Sequence, residues 1–314
     1  MIRMAGTQTI IEMAVQAVKS RCTMIKSDLV LRAQAVTGEG PLWDEERAGL
    51  WWVDIPKGEI RFFNPASGED CLVAAIGQQV GAVVLRRGGA LLAAAEHGFF
   101  FVEESTGKLT PIYDPESNLT GNRFNDGKCD PAGRFWAGTM DNACIRRGVG
   151  ALYRLDADLS CHKLVEDVSI SNGLAWSPDR TTMYYADTPT GVVDAFDYDD
   201  ATGQITNRRT VVRIAEGAPD GMTIDRDGNL WVAQWGGWQV SCYDPGTGRK
   251  LEEVAVPAAQ TASCAFGGEA LDTLYITTAR NGLTGEAALR QPLAGSLFAV
   301  KPGVRGLPAA KFAG

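Results

Sequence analysis

Histidine is nearly absent from this chain: His97 and His162 are the only two in 314 residues. No Gly-x-Ser-x-Gly elbow accompanies them, so a lone His97 has no partner with which to build a Ser-His-Asp triad. The seven cysteines (22, 71, 129, 144, 161, 242 and 264) are scattered, odd in number and free of any Cys-x-x-Cys pair. That spacing suggests neither a disulfide framework nor a zinc knuckle, and a reducing cytoplasm is the expected compartment. The glycine pairs at 88–89 and 267–268 lack the Walker and dinucleotide patterns and read as turns. Basic charge is in deficit, 30 Lys and Arg against 38 Asp and Glu, for a net charge of −8. Nucleic acid, whose phosphates call for a basic surface, is not an expected partner. Nor is a membrane: Ile10–Val18 is apolar but short, and Glu12 and Gln16 interrupt it. Residues 1–27 read as a loosely ordered, helical N-terminal extension rather than a signal peptide.

What the chain does have is a repeat. The segments GLWWVDI, GALLAAA, GRFWAGT, TTMYYAD, GNLWVAQ and DTLYITT begin at Gly49, Gly89, Gly133, Thr181, Gly228 and Asp272, at intervals of 40 to 48 residues. Each follows a turn rich in Gly and Asp, and most are followed by a second apolar stretch such as GEIRFFN or GALYRLD. Short strands recurring with a period in the forties are the mark of propeller blades, small sheets that cannot bury their faces alone. A β-sandwich is the alternative, but its strands would not keep this order. The expected fold is all-β, a six-bladed β-propeller forming one domain over residues 28–314. LVLRAQAV (29–36) is expected to close the ring by pairing with the last blade.

In a ring, residues at one repeat position meet around the central channel. The innermost strands begin GEGPLWD, VGAVVLR, NDGKCDP, NGLAWSP, DGMTIDR and SCAFGG. Their aligned positions hold Glu39, Val80, Asn125, Asn172, Asp220 and Ser263. Four of the six are oxygen donors at one height, a set that suits one divalent cation, with calcium foremost and Mg²⁺, Mn²⁺, Zn²⁺ or Fe²⁺ as alternatives. The competing reading is that Asn-Gly and Asp-Gly merely form turns; Glu39 argues against it. Arg123 is placed at the same mouth, where a fixed cation suits an anionic or hydroxyl-rich ligand. Two long loops, about 140–149 and 279–294, are expected to overhang the mouth. The tryptophans and tyrosines of the second strands are expected to pack between blades, while Trp235 or Trp238 could reach the ligand face.

The motifs GEGPLWD, NRFNDGKCDPAGRFWAGTM, SNGLAWSPD, VDAFDYDDATGQITNRR, PDGMTIDRDGNLWVA and TASCAFGG occur in that order. Through them the chain resembles the SMP-30/gluconolactonase/regucalcin-like family over essentially all of residues 30–314. The resemblance implies a divalent ion held by Glu39, Asn172 and Asp220, with Asn125 close by. It also implies that Arg123 and Asn125 bind the hydroxyls of a sugar lactone. Family members place a Glu shortly after the AGTM motif to contact substrate; Ala143 stands there in this chain, with Asp141 and Asn142 as nearby substitutes.

The expected activity is metal-dependent hydrolysis of an aldonolactone, such as gluconolactone, to its acid. Asp220 is the expected general base as well as a ligand, although coordination lowers a carboxylate's basicity. A calcium-binding regulator without turnover, or a metal-dependent phosphotriesterase-like hydrolase, would use the same metal. A monomer is expected, because a closed ring leaves few free sheet edges.

Overall fold

The repeated segments become strands because aromatic and β-branched residues fit a pleated, half-buried surface, and the Gly, Asp and Pro clusters between them close the turns. The computed structural model describes residues 24–314. Two short strands come first, β1 (Met24–Lys26) and β2 (Asp28–Leu31). Blade one contains β3 (Gly38–Asp44), β4 (Gly49–Asp54), β5 (Glu59–Asn64) and β6 (Glu69–Ala75). Blade two contains β7 (Val80–Leu85), β8 (Leu91–Ala95), β9 (Gly98–Val102) and β10 (Leu109–Tyr113). Blade three contains β11 (Asn122–Cys129), β12 (Phe135–Asp141), β13 (Gly150–Leu155) and β14 (Cys161–Val168). Blade four contains β15 (Ser171–Trp176), β16 (Thr182–Asp187), β17 (Val192–Asp199) and β18 (Gln204–Arg213). Blade five contains β19 (Ala218–Ile224), β20 (Leu230–Trp235), β21 (Gln239–Asp244) and β22 (Arg249–Ala255). Blade six contains β23 (Thr261–Gly267), β24 (Thr273–Thr278) and β25 (Leu297–Val300). Within each blade the strands are antiparallel neighbours in chain order, and the six first strands touch one another around the axis. The protein is a six-bladed β-propeller.

The ring closes through the N-terminal segment, as expected, but over a shorter stretch. β2 is the outer strand of blade six, with Asp28 opposite Ala299 and Leu29 opposite Phe298. The strand ends at Leu31 rather than running to residue 36, and Gln34 adopts a φ of 54° that an extended strand cannot hold. A second difference lies just upstream. Residues 24–26, assigned to the loose extension, form β1 and run parallel to β22 as a fifth strand of blade five, Met24 opposite Glu253. The apolar stretch Ile10–Val18 lies outside the described residues.

Packing between blades explains the tryptophans. Trp51, Trp52, Trp136 and Trp231 are fully buried among clusters that bridge adjacent blades. In blades one, three and five an Asp near the end of the first strand accepts the indole N–H of the second strand. The pairs are Asp44–Trp51 at 3.2 Å, Asp130–Trp136 at 2.9 Å and Asp225–Trp231 at 3.0 Å. This satisfies the one polar atom of each buried indole. On the same face the C-terminal segment crosses several blades: Gly306 donates to the Leu271 carbonyl at 2.8 Å, Phe312 to Leu85 at 2.8 Å and Ala313 to Gly133 at 2.9 Å.

The Asn-Gly and Asp-Gly pairs are not turns. They sit inside β15 and β19. A Cβ on Gly173 would lie 2.6 Å from the Asp220 carbonyl oxygen, and one on Gly221 would lie 2.0 Å from Ser263 Oγ. Glycine is needed there because neighbouring inner strands approach backbone to backbone.

Candidate active site

Every inner strand carries a register irregularity near its start, at or beside the aligned ring residue. In β11, Phe124 pairs with Thr139 and Gly127 with Ala137, so Asn125 and Asp126 together stand against Gly138. A bulge of this kind re-aims side chains. Here it delivers Asn125 and Asp126, consecutive in sequence, to the same buried centre.

The structure brings the expected residues together. Glu39, Asn125, Asn172 and Asp220 are all buried at one end of the channel. Asn125 Nδ2 donates to the Ser171 carbonyl at 2.8 Å and to Asn172 Oδ1 at 3.1 Å. Asn172 Nδ2 donates to Thr188 Oγ1 at 2.8 Å, which fixes its amide with the oxygen toward Asn125. Glu39 Oε2 accepts from the Gly40 amide at 2.9 Å. Burial, reinforced by Asp126, pushes the Glu39 carboxyl up to about 8. Burial, and then the charges of Glu39 and Asp126, hold Asp220 well above the usual carboxylate range. Of the other two ring positions, Val80 offers no donor and Ser263 is buried.

Arg123 sits at the mouth and is tied to the same network. Its Nη1 donates to the Phe124 carbonyl and to Asn125 Oδ1, both at 2.8 Å, while its buried Nε has no partner among the described residues. Burial lowers its pKa, and the charges of Cys144, Glu39 and Glu96 oppose that. Both polar ends of Asn125 are therefore already engaged inside the protein; its side chain joins Arg123 to Asn172.

Two members of the cluster escape a reading by repeat position. Asp126 accepts from the Gly127 amide at 2.7 Å, and its carboxyl is raised by burial, with Lys128 opposing. Lys128 Nζ donates to the Met222 carbonyl at 2.6 Å, and burial lowers its pKa. The string NDGK contains both, but aligning one residue per strand hides what a bulge adds. A cavity of about 390 Å³ opens at the opposite end of the channel, between the far ends of the inner strands and residues 307–310; Lys128 lines it and the four ring donors do not.

The overhanging loops are present. One spans residues 142–149; the other, 279–296, carries the short helix α1 (Gly285–Arg290). Asp141 caps the first loop, accepting from the amides of Ile145 at 2.9 Å and Arg146 at 3.0 Å and from Arg146 Nε at 2.7 Å. Asn142 Oδ1 accepts from Gln79 Nε2 at 2.8 Å. His97 is exposed on the turn after β8, and Trp238 is exposed beside Gly237.

The donor set fits a hard divalent cation. Two carboxylates and an amide oxygen converge in a buried setting, where like charges repel strongly without a counter-ion. Among the described residues no group of three or more His, Cys, Asp or Glu side chains is placed to hold a metal. A site here would depend on Asn172 Oδ1 as its third ligand.

Comparison with known proteins gives the family. Residues 37–280 match the family described as the SMP-30/Gluconolactonase/LRE-like region. The chain belongs to that family. Regucalcin from Sus scrofa is 41% identical over 297 residues, covering 92% of this chain and 99% of its own. YvrE from Bacillus subtilis (strain 168), provisionally named a sugar lactone lactonase, is 41% identical over 293 residues, covering 91% and 99%. The crystal structure of a calcium-binding protein, regucalcin from Agrobacterium tumefaciens str. C58, superposes with a TM-score of 0.87 at 30% identity, covering 92% of this chain and 99% of that one. The SMP-30/gluconolactonase family thus includes members named for lactone hydrolysis and for calcium binding.

Proposed function

We propose that the protein is a divalent-metal-dependent lactonase that opens a sugar lactone, an aldono-1,4- or 1,5-lactone such as gluconolactone, to the aldonic acid. The observation that carries this reading is the convergence of Glu39, Asn172 and Asp220 near Arg123, whose Nε lacks an acceptor among the described residues. Glu39, Asn172 and Asp220 would hold the cation, calcium foremost. When bound, such an ion supplies Lewis-acid polarisation of the lactone carbonyl and charge for the developing oxyanion.

The chain's own residues supply the rest. The Asp220 carboxylate receives the proton of the attacking water; burial and the neighbouring Glu39 and Asp126 raise its basicity in the cation-free protein, and coordination would offset part of that rise. Arg123 offers Nε to a substrate hydroxyl, and Asn125 keeps Arg123 and Asn172 in register. The loops over the mouth limit access of bulk water. The name regucalcin supports a second reading, a calcium-binding regulator without turnover. A phosphotriesterase-like activity is the weaker alternative, because a mouth carrying Arg123 suits hydroxyls better than apolar esters. The protein would act as a monomer in the cytoplasm, a compartment that suits scattered cysteines without Cys-x-x-Cys spacing.

Acid release from a panel of sugar lactones, with and without a chelator, tests the proposal. Hydrolysis of at least one lactone that stops on chelation and returns with Ca²⁺ or another divalent ion is expected. Tight calcium binding with no turnover would favour the regulator, and hydrolysis indifferent to chelator would remove the metal from the mechanism.

A further inference from the structure

A substrate rich in hydroxyl groups needs acceptors as well as donors at the mouth, and the carboxylates near it differ in what they have left to offer. Asp141 is spent on the 142–149 loop, with two backbone amides and the Arg146 guanidinium as donors. Glu116 is buried and accepts from Asn122 Nδ2 at 2.9 Å, Thr139 Oγ1 at 2.8 Å and Tyr153 OH at 3.0 Å. Asn142 has its amide oxygen occupied by Gln79. Glu39, Asp126 and Asp220 belong to the deeper cluster. The remaining carboxylate within the field of Arg123 is Glu96.

Its position is built rather than incidental. Glu96 follows β8 on the ligand face, and its amide donates to the Gln79 carbonyl at 2.8 Å. Gln79 in turn grips Asn142 at 2.8 Å, so the turn bearing Glu96 is braced against the overhanging loop. The next amide, of His97, donates to Gln78 Oε1 at 2.9 Å, which pins the turn a second time. Blade two also approaches blade three closely here: a Cβ on Gly81 would lie 2.1 Å from the Asn125 carbonyl oxygen. The Glu96 side chain is half-buried, and among the described residues no donor is hydrogen-bonded to it. It therefore stands as a pinned, uncommitted acceptor on the face that also carries Arg123, a pinned, partly uncommitted donor.

We propose that Glu96 is a specificity-determining residue, accepting hydrogen bonds from ring hydroxyls while Arg123 donates to them, so that the mouth selects polyhydroxylated lactones over bare ones. Two adjacent hydroxyls on a sugar ring match such a pair, because each can donate to the carboxylate and accept from the guanidinium. A bare lactone would leave both charged groups unpaired on binding, which is how polar sites reject analogues that lack the polar group. This rests on the lactonase reading but extends it to blade two, which contributes no ring donor.

The test compares wild type with Glu96→Gln and Glu96→Ala in two assays. In the first, calorimetry follows binding of 1,5-anhydroglucitol, a ring polyol with no ester to hydrolyse. Wild type is expected to bind it, and both variants to bind roughly ten-fold or more weakly, as loss of a charged hydrogen bond implies. In the second, steady-state kinetics compare gluconolactone with δ-valerolactone. KM for gluconolactone should rise about ten-fold with kcat, calcium affinity and melting temperature unchanged, while δ-valerolactone is turned over as well as by wild type or better, because the unpaired charge it leaves is gone. Unaltered polyol binding in the variants, no polyol binding by wild type, or equal losses on both lactones would overturn the assignment. Wild type that hydrolyses no lactone, yet loses polyol binding with Glu96, would sink the lactonase reading and leave Glu96 in place.

Discussion

At the scale of single residues, the protein concentrates carboxylates where water is scarce. Glu39, Asp126 and Asp220 share one buried end of the channel, and the cations facing them are Lys128 and Arg123. The pH dependence of the cation-free protein follows. Glu39 moves from its ordinary 4.5 to about 8 on folding, so the folded state holds a proton that the unfolded state has released. The raised pKa gives stability that is full below about 4.5 and is lost as pH rises toward about 8. Chelator-treated protein should therefore melt at falling temperature between these limits, and calcium should restore more stability at pH 8 than at pH 5, because binding must displace the proton. Thermal scans across that range, with and without calcium, check both signs; a melting temperature that rises with pH in the chelated protein would show that Glu39 is ionised without the metal. Much of this site was legible at the residue level, since Glu39, Asn125, Asn172 and Asp220 were aligned by repeat position alone. Asp126 and Lys128 were not, because strict alternation assigns consecutive side chains to opposite faces, and a bulge suspends that rule.

At the scale of elements, each blade is secured by pairs that span strands. Asp130, at the end of β11, accepts from the Arg134 amide at 2.8 Å, Arg134 Nε at 2.7 Å, Trp136 Nε1 at 2.9 Å and Tyr198 OH at 2.8 Å. It thereby joins two strands of blade three to β17 of blade four. Asp130→Ala would leave a largely buried guanidinium, an indole N–H and a phenol without their acceptor. A loss of about 3–5 kcal/mol is expected, the cost of breaking one side of a buried ion pair. Denaturant unfolding should show that loss while calcium affinity stays near wild type, since Asp130 lies at the other end of β11 from Asn125. Blade order and period were readable because strands in the forties-residue repeat each end in turn residues. The extent of the closing strand was not: nothing in LVLRAQAV announces that Gln34 takes a left-handed conformation, and the pairing of β1 with β22 depends on a blade more than 200 residues away in the chain.

At the scale of the whole molecule, closure turns six similar sheets into one site. Glu39 comes from blade one, Asn125 from blade three, Asn172 from blade four and Asp220 from blade five, and none of these blades holds more than a part of the donor set. The ring is fastened by β2 against β25, and on the opposite face residues 305–314 tie blades two, three, five and six together. The rigidity this gives is what lets one amide oxygen and two carboxylates serve as a preorganised cradle. The overall architecture was therefore the most legible level, whereas the loop chemistry above the ring, including Glu96, depends on how neighbouring blades lean on each other. The central claim is that Glu39, Asn172 and Asp220 act as one cation site on which lactone hydrolysis depends. The most direct measurement is a calcium titration of Asp220→Ala, with lactone hydrolysis followed on the same sample after its metal content has been determined. The account predicts calcium affinity reduced at least ten-fold, as expected for a lost charged ligand, with most activity gone and the fold intact by circular dichroism. A demonstrably metal-free Asp220→Ala protein that hydrolyses the lactone at the wild-type rate would contradict it.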